Sequence, residues 1–124
     1  MRLLLDTHVF LWWREENAQL TADVVREISG AEQVFVSVAS AWEVAIKVAL
    51  GKLRLPGPME PAVEHSRFEK LLVTFGHAAA VADLPLHHAD AFDRMLIAQA
   101  QSEGLMLVTH DRTFEAYGVP ILWT

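Results

Sequence analysis

Four acidic residues stand where an α/β fold could bring them together. Asp6 follows a short leucine run, Glu43 and Asp93 lie in early turns of two apolar helical patterns, and Asp111 ends a short apolar strand. Asp90 lies near enough to Asp93 to contribute. Carboxylates gathered at one site repel one another, and a hard divalent cation such as Mg²⁺ is the natural way to offset their charge. With one or two such ions, a site of this kind can hydrolyse a phosphodiester by in-line displacement.

The elements that must position these acids alternate between strands and helices. This alternation implies right-handed crossovers and a parallel sheet covered on both faces, with a ligand crevice beyond the carboxyl ends of the strands. We therefore predict an α/β fold in one domain, residues 1–124, with three αβα layers and four to five parallel strands. The predicted strands are Arg2–Leu5, Val34–Val38, Leu71–Thr74, one ending at Asp111 and an edge strand at Val119–Trp123, and the shorter predicted helices are Ala62–Glu69, His77–Ala82 and a turn at Thr113–Ala116.

Composition narrows the classes of function. The chain has 124 residues, 52% of them hydrophobic, and no cysteine, which excludes disulfides and thiolate metal sites. Asp6 and His8 interrupt the first apolar run well before the length of a signal peptide or a membrane span, so we expect a soluble, unprocessed protein. The absence of cysteine is compatible with a reducing cytosol, and we expect the protein to be cytoplasmic. The formal net charge of −6 argues against a nucleic-acid partner unless a metal ion receives the phosphate.

Each acid also has an ordinary explanation. The segment Ser40-Ala41-Trp42-Glu43 fits a capping box, and Asp90 with Asp93 fits a helix N-cap followed by an acid that complements the helix dipole. Asp6 and Asp111 are harder to explain in this way, because an acid after a buried strand usually needs a loop partner or a ligand. The coincidence of all these acids is what favours a site.

Other polar residues are candidates for supporting roles. Thr7 and Thr109 could orient a carboxylate or a water, or contact a substrate, and Arg94 and Arg112 are candidates for phosphate contacts. For each of these, an ordinary structural or surface role remains open. A mixed histidine and carboxylate site for manganese or zinc also remains open, because histidines flank the acids. These histidines are His8, His87, His88 and His110.

Several segments of the chain resemble the PIN-domain ribonucleases, specifically the VapC-like toxins of type II toxin-antitoxin pairs. The resemblance spans nearly the whole chain in the right order and includes the Trp-Glu pair, the Phe-Asp-Arg helix start and the Thr-x-Asp strand end. One departure is Ala91, where relatives often have proline. The segments are LLLDTH, SVASAWEVAIKVALGKL, LPLHHADAFDRMLIAQAQSEGLMLVTHD and YGVPILW.

The resemblance implies a PIN-like fold and an endoribonuclease toxin that depends on Mg²⁺ or Mn²⁺ and cuts single-stranded regions of RNA. It also implies a homodimer and an antitoxin, encoded alongside, that wraps the toxin and inserts a segment toward the acids. The catalytic, metal-binding acids of the family fall on Asp6, Glu43, Asp93 and Asp111, with Asp90 as an occasional additional ligand.

Two other readings of the sequence remain. A receiver-like signalling domain is also small and doubly wound around an acidic magnesium pocket, but it has paired acids near the first strand and a lysine after the last central strand. Here no second acid adjoins Asp6, and no lysine follows Lys70. In a non-catalytic interaction module, the acids would be helix caps and the protein would act through an apolar surface.

Overall fold

The centre of the fold is a five-stranded sheet in which every neighbouring pair of strands is parallel. The computed structural model describes residues 1–124. The strand order is β3-β2-β1-β4-β5, which places the first strand in the middle. The strands are β1 (Arg2–Leu5), β2 (Gln33–Ser37), β3 (Glu69–Leu71), β4 (Met106–Thr109) and β5 (Ile121–Trp123).

Helices cover both faces of the sheet, so the predicted three-layer αβα architecture is confirmed. No helix has the length and apolar composition needed to cross a membrane. The helices are α1 (Thr7–Glu15), α2 (Ala22–Gly30), α3 (Val38–Ala49), α4 (Met59–His65), α5 (Phe75–Val81) and α6 (Ala91–Glu103), with a 3-10 helix at Arg112–Tyr117.

The leucine run of β1 is buried on both sides because it belongs to two cores. Leu3 and Leu5 join one core, and Leu4 joins the other, as the alternation of side chains along a strand requires. The first core includes buried residues of α1, α2 and α4, and the second is built largely on α6 and the 3-10 helix. Because these cores hold β1 and β4 rigidly, the residues that follow the two strands start from fixed positions.

The strand order creates a crevice next to β1. The chain winds from β1 through β2 to β3 on one side and then returns to β4 and β5 on the other. Ligands of open α/β sheets bind at such a switch point, outside the carboxyl ends of the strands. The backbone N–H of Asp6 donates to Val108 O at 3.0 Å, which ties the residue after β1 to the adjoining strand β4.

Two predicted elements lie elsewhere than expected. The helix predicted at Ala62–Glu69 is α4, because Pro61 occupies its first turn, where the missing N–H costs nothing. The strand predicted at Leu71–Thr74 is β3, an edge strand with exposed charges at Glu69 and Lys70. Charged side chains protect an edge from further pairing, and they leave no apolar pattern to locate the strand.

Candidate active site

Asp6 lies buried directly after β1, at the N-cap position of α1, and its side chain makes no capping hydrogen bond. Its Oδ2 accepts a hydrogen bond of 2.8 Å from Thr109 Oγ1, and Thr109 is completely buried. The same Thr109 oxygen accepts the backbone N–H of Asp111 at 3.0 Å. One threonine therefore holds the acid after β1 and the backbone of the acid after β4 in a common frame.

Glu43 is also buried, and its carboxylate is held from both sides. Thr7 Oγ1 donates to Glu43 Oε1 at 2.8 Å, and Lys47 Nζ lies 2.9 Å from Oε2. Ser40 Oγ lies 2.8 Å from the same Thr7 oxygen. The predicted capping box is wrong, because α3 is capped by Ser37 and begins three residues earlier. Glu43 therefore has no capping role, and its hydrogen bonds aim it at the sheet edge.

Asp90 and Asp93 occupy the start of α6 as predicted. Asp90 is the N-cap, and its Oδ1 accepts the backbone N–H of Asp93 at 3.0 Å. The free carboxylate of Asp93 points to His88, whose Nε2 lies 2.7 Å from Asp93 Oδ2. The cap thus explains Asp90 fully and leaves Asp93 available for a ligand.

Asp111 lies just beyond β4 rather than within the strand, and it caps the 3-10 helix. Its Oδ1 accepts hydrogen bonds from the backbone N–H and the hydroxyl of Thr113, at 2.9 and 2.7 Å. Burial would raise the pKa of Asp111, but these bonds, with the charges of His88 and His8, lower it below its ordinary value. This acid stays ionised and keeps Oδ2 free of partners within the chain.

The closest group of donor atoms consists of His88, Asp93 and Asp111, whose nearest side-chain atoms all lie within 4.8 Å of one another. Asp6 and Glu43 are more deeply buried, and the charge of Asp6 acts on Asp93 while that of Glu43 acts on Asp6. The five acids share one end of the crevice, and we call them the acid pocket. The acid pocket comprises Asp6, Glu43, Asp90, Asp93 and Asp111.

The carboxylates of the acid pocket outnumber the positively charged side chains in contact with them. Burial, and then the charge of Asp6, raise the pKa of Asp93 to about 7. Burial also raises the pKa of Asp6, and Glu43 adds to that rise. The hydrogen bond to Glu43, and then the charges of Asp90 and Asp93, raise the pKa of Lys47. Such pKa shifts mark a site where a bound cation would offset the repulsion between the carboxylates.

The two arginines beside the acids point away from them. Arg94 donates to the backbone carbonyls of Val81, Leu84 and Pro85 and to the Tyr117 hydroxyl, at 2.9 to 3.3 Å. This guanidinium fastens the loop between α5 and α6 through its two terminal nitrogens, so the N–H groups of Nη1 and Nη2 are not available for a phosphate. Arg112 is exposed and stacks over the Trp123 ring at 4.1 Å. The hydroxyls of Thr7 and Thr109 are committed to carboxylates, as described above.

The histidines separate into different surroundings. His88 alone enters the closest donor group, whereas the ring of its neighbour His87 lies 5.3 Å from that of Tyr117. His110 Nδ1 lies 3.0 Å from Thr124 O, and His8 is exposed. The sequence left all of them open, and its one usable signal was that His88 closely precedes the cap of α6.

Comparisons with known proteins agree with the fold. The profile of the PIN domain matches residues 3–120. The chain is 30% identical over 123 residues to Ribonuclease VapC22 of Mycobacterium tuberculosis, covering 95% of this chain and 93% of that protein.

Two solved structures have similar folds. VapBC2 from Rickettsia felis, bound to a DNA fragment from its promoter, gives a TM-score of 0.73 at 13% identity, over 98% of each chain. DNA-bound VapBC from Salmonella typhimurium gives 0.72 at 21% identity, over 98% of this chain and 97% of that one. The match to the family profile and the identity to a curated relative lead to one conclusion: this chain belongs to the PIN-domain family.

Proposed function

We propose that this protein is a metal-dependent endoribonuclease that hydrolyses RNA phosphodiester bonds at the acid pocket. The observation that carries the proposal is the collection of five carboxylates at the switch point of the sheet with a single ammonium, that of Lys47, in direct contact. The relationship to a protein named as a ribonuclease supports the same reaction class. The strand order argues against the receiver-like alternative, whose doubly wound sheet runs 2-1-3-4-5.

The donor set of the acid pocket fits a hard divalent cation. Most of its donor atoms are carboxylate oxygens, which suit Mg²⁺ or Mn²⁺, and no thiolate occurs in the chain. Asp93 and Asp111 would hold the ion directly, with Asp6 beside them. Glu43 and Asp90 are engaged with Lys47 and the α6 cap, so they would act through water.

The ion would lower the pKa of a bound water and offset the charge that develops on the phosphate oxygens. The chain's own residues prepare this site. Thr109 and Thr7 orient Asp6 and Glu43, so that both carboxylates stay in place without a substrate. Lys47 lies beside Glu43 and offers the nearest ammonium to a phosphate oxygen. The net charge of −6 then does not exclude RNA, because the phosphate meets the ion rather than the acids.

We propose that the enzyme acts as the toxin of a toxin-antitoxin pair, in the cytoplasm, as a homodimer that a cognate antitoxin inhibits. The solved structures of similar fold include VapBC from Salmonella typhimurium and a toxin-antitoxin complex from Klebsiella pneumoniae. An antitoxin that blocks the acid pocket would have to bring a cation or displace the metal ion, because the pocket itself is acidic. Co-expression with the product of a neighbouring reading frame tests the pairing: the expected result is a stable complex without nuclease activity.

The nuclease is tested by following cleavage of a fluorescently labelled single-stranded RNA with Mg²⁺, with Mn²⁺ and with EDTA. We expect cleavage with either metal, none with EDTA, and loss of cleavage in Asp6→Asn and Asp93→Asn. The matched control is Asp83→Asn, because Asp83 is exposed and lies outside the acid pocket. Cleavage that persists unchanged in both pocket variants would contradict the proposal and indicate a contaminating nuclease.

A further inference from the structure

The donor group at the mouth of the acid pocket contains a nitrogen atom. His88 contributes one imidazole nitrogen to a set of three donors that lie within 4.8 Å of one another, the other two being carboxylate oxygens of Asp93 and Asp111. Its Nε2 lies 2.7 Å from Asp93 Oδ2. Cis ligands of an octahedral ion at 2.0–2.1 Å lie roughly 3 Å apart, so the His88 and Asp93 atoms are already spaced about as cis ligands are.

The His88 ring is held toward the pocket by its surroundings. It packs edge-on against the buried ring of Phe114, with 6.2 Å between ring centroids, and its side chain is 20% exposed. The preceding residue, His87, is exposed and packs against Tyr117. Of the two adjacent histidines, only His88 contacts an acid of the pocket, and it is partly shielded from solvent.

We infer that His88 is a direct nitrogen ligand of the ion held by Asp93 and Asp111. The inference rests on the proposed function, since it concerns the ion of the same site. A neutral imidazole suits this position for an electrostatic reason. The acid pocket already has five carboxylates, and a neutral ligand completes the coordination of the ion without adding to their mutual repulsion.

A nitrogen ligand changes which ion the site prefers. Magnesium binds oxygen ligands almost exclusively and keeps much of its hydration, whereas first-row transition ions accept imidazole readily. The site of this chain should therefore favour Mn²⁺ over Mg²⁺ more strongly than a site built only from carboxylates. Replacing His88 with glutamine should remove part of that preference while leaving the carboxylates in place.

The ligand is identified by pulsed electron paramagnetic resonance of the full chain loaded with Mn²⁺. Electron spin echo modulation from a directly bound ¹⁴N is expected in the wild type and in His87→Gln, the matched control, and is expected to be lost in His88→Gln. Calorimetric titration with MnCl₂ and with MgCl₂ should show the Kd for Mn²⁺ rising at least about 10-fold in His88→Gln, with a smaller change for Mg²⁺.

Two outcomes would overturn the inference: no nitrogen modulation in the wild type, or modulation that survives in His88→Gln. The first would mean that His88 only holds Asp93 through a hydrogen bond, and the second that another histidine, such as His8, binds the ion. If His88→Gln does not fold, wild-type protein labelled with ¹⁵N-histidine shows whether any histidine binds the ion, and a ¹⁵N pattern that persists in His8→Gln, His87→Gln and His110→Gln assigns the ligand to His88.

The same samples separate this inference from the proposed nuclease. RNA cleavage without nitrogen modulation would leave the nuclease standing and remove His88 from the ligands. Nitrogen modulation that disappears in His88→Gln, in a protein that cleaves no RNA, would establish the mixed ligand set and contradict the nuclease.

Discussion

Two histidine and carboxylate pairs with nearly the same geometry lie in different parts of this fold. His88 Nε2 lies 2.7 Å from Asp93 Oδ2 in the acid pocket, and His77 Nε2 lies 2.8 Å from Glu103 Oε1 where α5 packs on α6. Judged by distance alone, the two pairs could not be told apart.

The surroundings of the two pairs differ. His77 is part of a capping box: its Nδ1 accepts the backbone N–H of Thr74, and Thr74 Oγ1 accepts the backbone N–H of His77, both at 3.1 Å. Its Nε2 therefore carries the proton and donates to Glu103, whose side chain is 41% exposed and solvated. Both nitrogens of this imidazole are used within the fold, Nδ1 to cap α5 and Nε2 to hold α5 on α6, which indicates a structural role.

In the acid pocket, the charge of Asp93 is not balanced by its surroundings. Asp93 is largely buried beside Asp6 and Asp90, and these neighbours together with burial raise its pKa to about 7. A hydrogen bond from His88 lowers the pKa but does not cancel that rise. The comparison teaches that the charge around a pair, rather than its geometry, distinguishes a functional site from a structural contact.

The largest difference between the pairs should appear in catalysis. Asp93→Asn should lower RNA cleavage at least about 100-fold, the upper end of what loss of an outer-shell partner of a metal costs. Glu103→Gln should leave cleavage within a factor of about two, because that exposed carboxylate serves only α5 and α6. Initial rates at saturating Mg²⁺ measure both, and a similar loss in the two variants would erase the distinction.

The pair that matters less for catalysis should matter more for stability, so we expect His77 to stabilise the fold more than His88 does. His77→Ala removes a buried imidazole together with its hydrogen bonds to the Thr74 N–H and to Glu103, and it should lower the free energy of unfolding by about 1–3 kcal/mol. His88→Ala should lower the free energy of unfolding by less. The His88 ring is only partly buried, and its hydrogen bond favours a charged form of Asp93 that burial and Asp6 disfavour. Urea unfolding in EDTA measures both values, and an equal or larger cost for His88→Ala would mean that His88 also has a structural role.

Asp93→Asn should stabilise the metal-free protein, by roughly 0.5–2 kcal/mol at pH 8, because it removes a buried charge that Asp6 repels. The matched change at the other pair, Glu103→Gln, should not stabilise, since Glu103 lies 2.8 Å from a hydrogen-bond donor and is well solvated. Thermal unfolding in EDTA tests this. A destabilised Asp93→Asn would indicate that His88 compensates fully for the repulsion.

The pH dependence of the same variant sharpens this prediction. The pKa of Asp93 is about 7 when folded and near its ordinary 3.8 when unfolded, so the folded state holds the proton more tightly between these values. The stabilisation that comes from this tighter proton binding is complete below pH 3.8 and is lost as the pH rises through 7. The advantage of Asp93→Asn in EDTA should therefore grow from pH 4 to pH 8, and metal affinity should rise over the upper part of this range.

The smallest effect should come from removing the charge of the structural pair. Glu103→Gln should change the free energy of unfolding by no more than about 1 kcal/mol, because one partner is exposed to solvent. Unfolding in urea at low and high salt measures the difference. A cost well above 1 kcal/mol would mean that the charge of Glu103, and not only its hydrogen bond, holds α5 on α6.

Much of the fold was predictable because strong local patterns mark it. The leucines of β1 and the periodic apolar residues of α6 predicted a buried strand and a helix in the right places. Gly104, in a left-handed conformation at φ 65°, ends α6, and glycine is the residue that commonly takes this position. The edge strand β3 was misplaced because its exposed, charged residues carry no such pattern.

The candidate site was predictable in its acids and not in its supporting residues. The residue types and their place after strands or at helix starts singled out Asp6, Glu43, Asp93 and Asp111. The sequence was a poor guide to Arg94, whose guanidinium binds loop carbonyls instead of facing the crevice. The direction of a long side chain depends on which acceptors lie nearby, and those acceptors come from a loop whose path has no local signal.

The sequence by itself determined the alternation of strands and helices and the positions of the acids along them, because hydrophobic periodicity and helix caps are local properties of the chain. Only the tertiary structure decided that His88 and not His87 enters the acid pocket, since that choice depends on packing against Phe114 and Tyr117. It also decided the raised pKa of Asp93, because the burial of this residue and the charge of Asp6 act only once folding brings α6 next to the residue after β1.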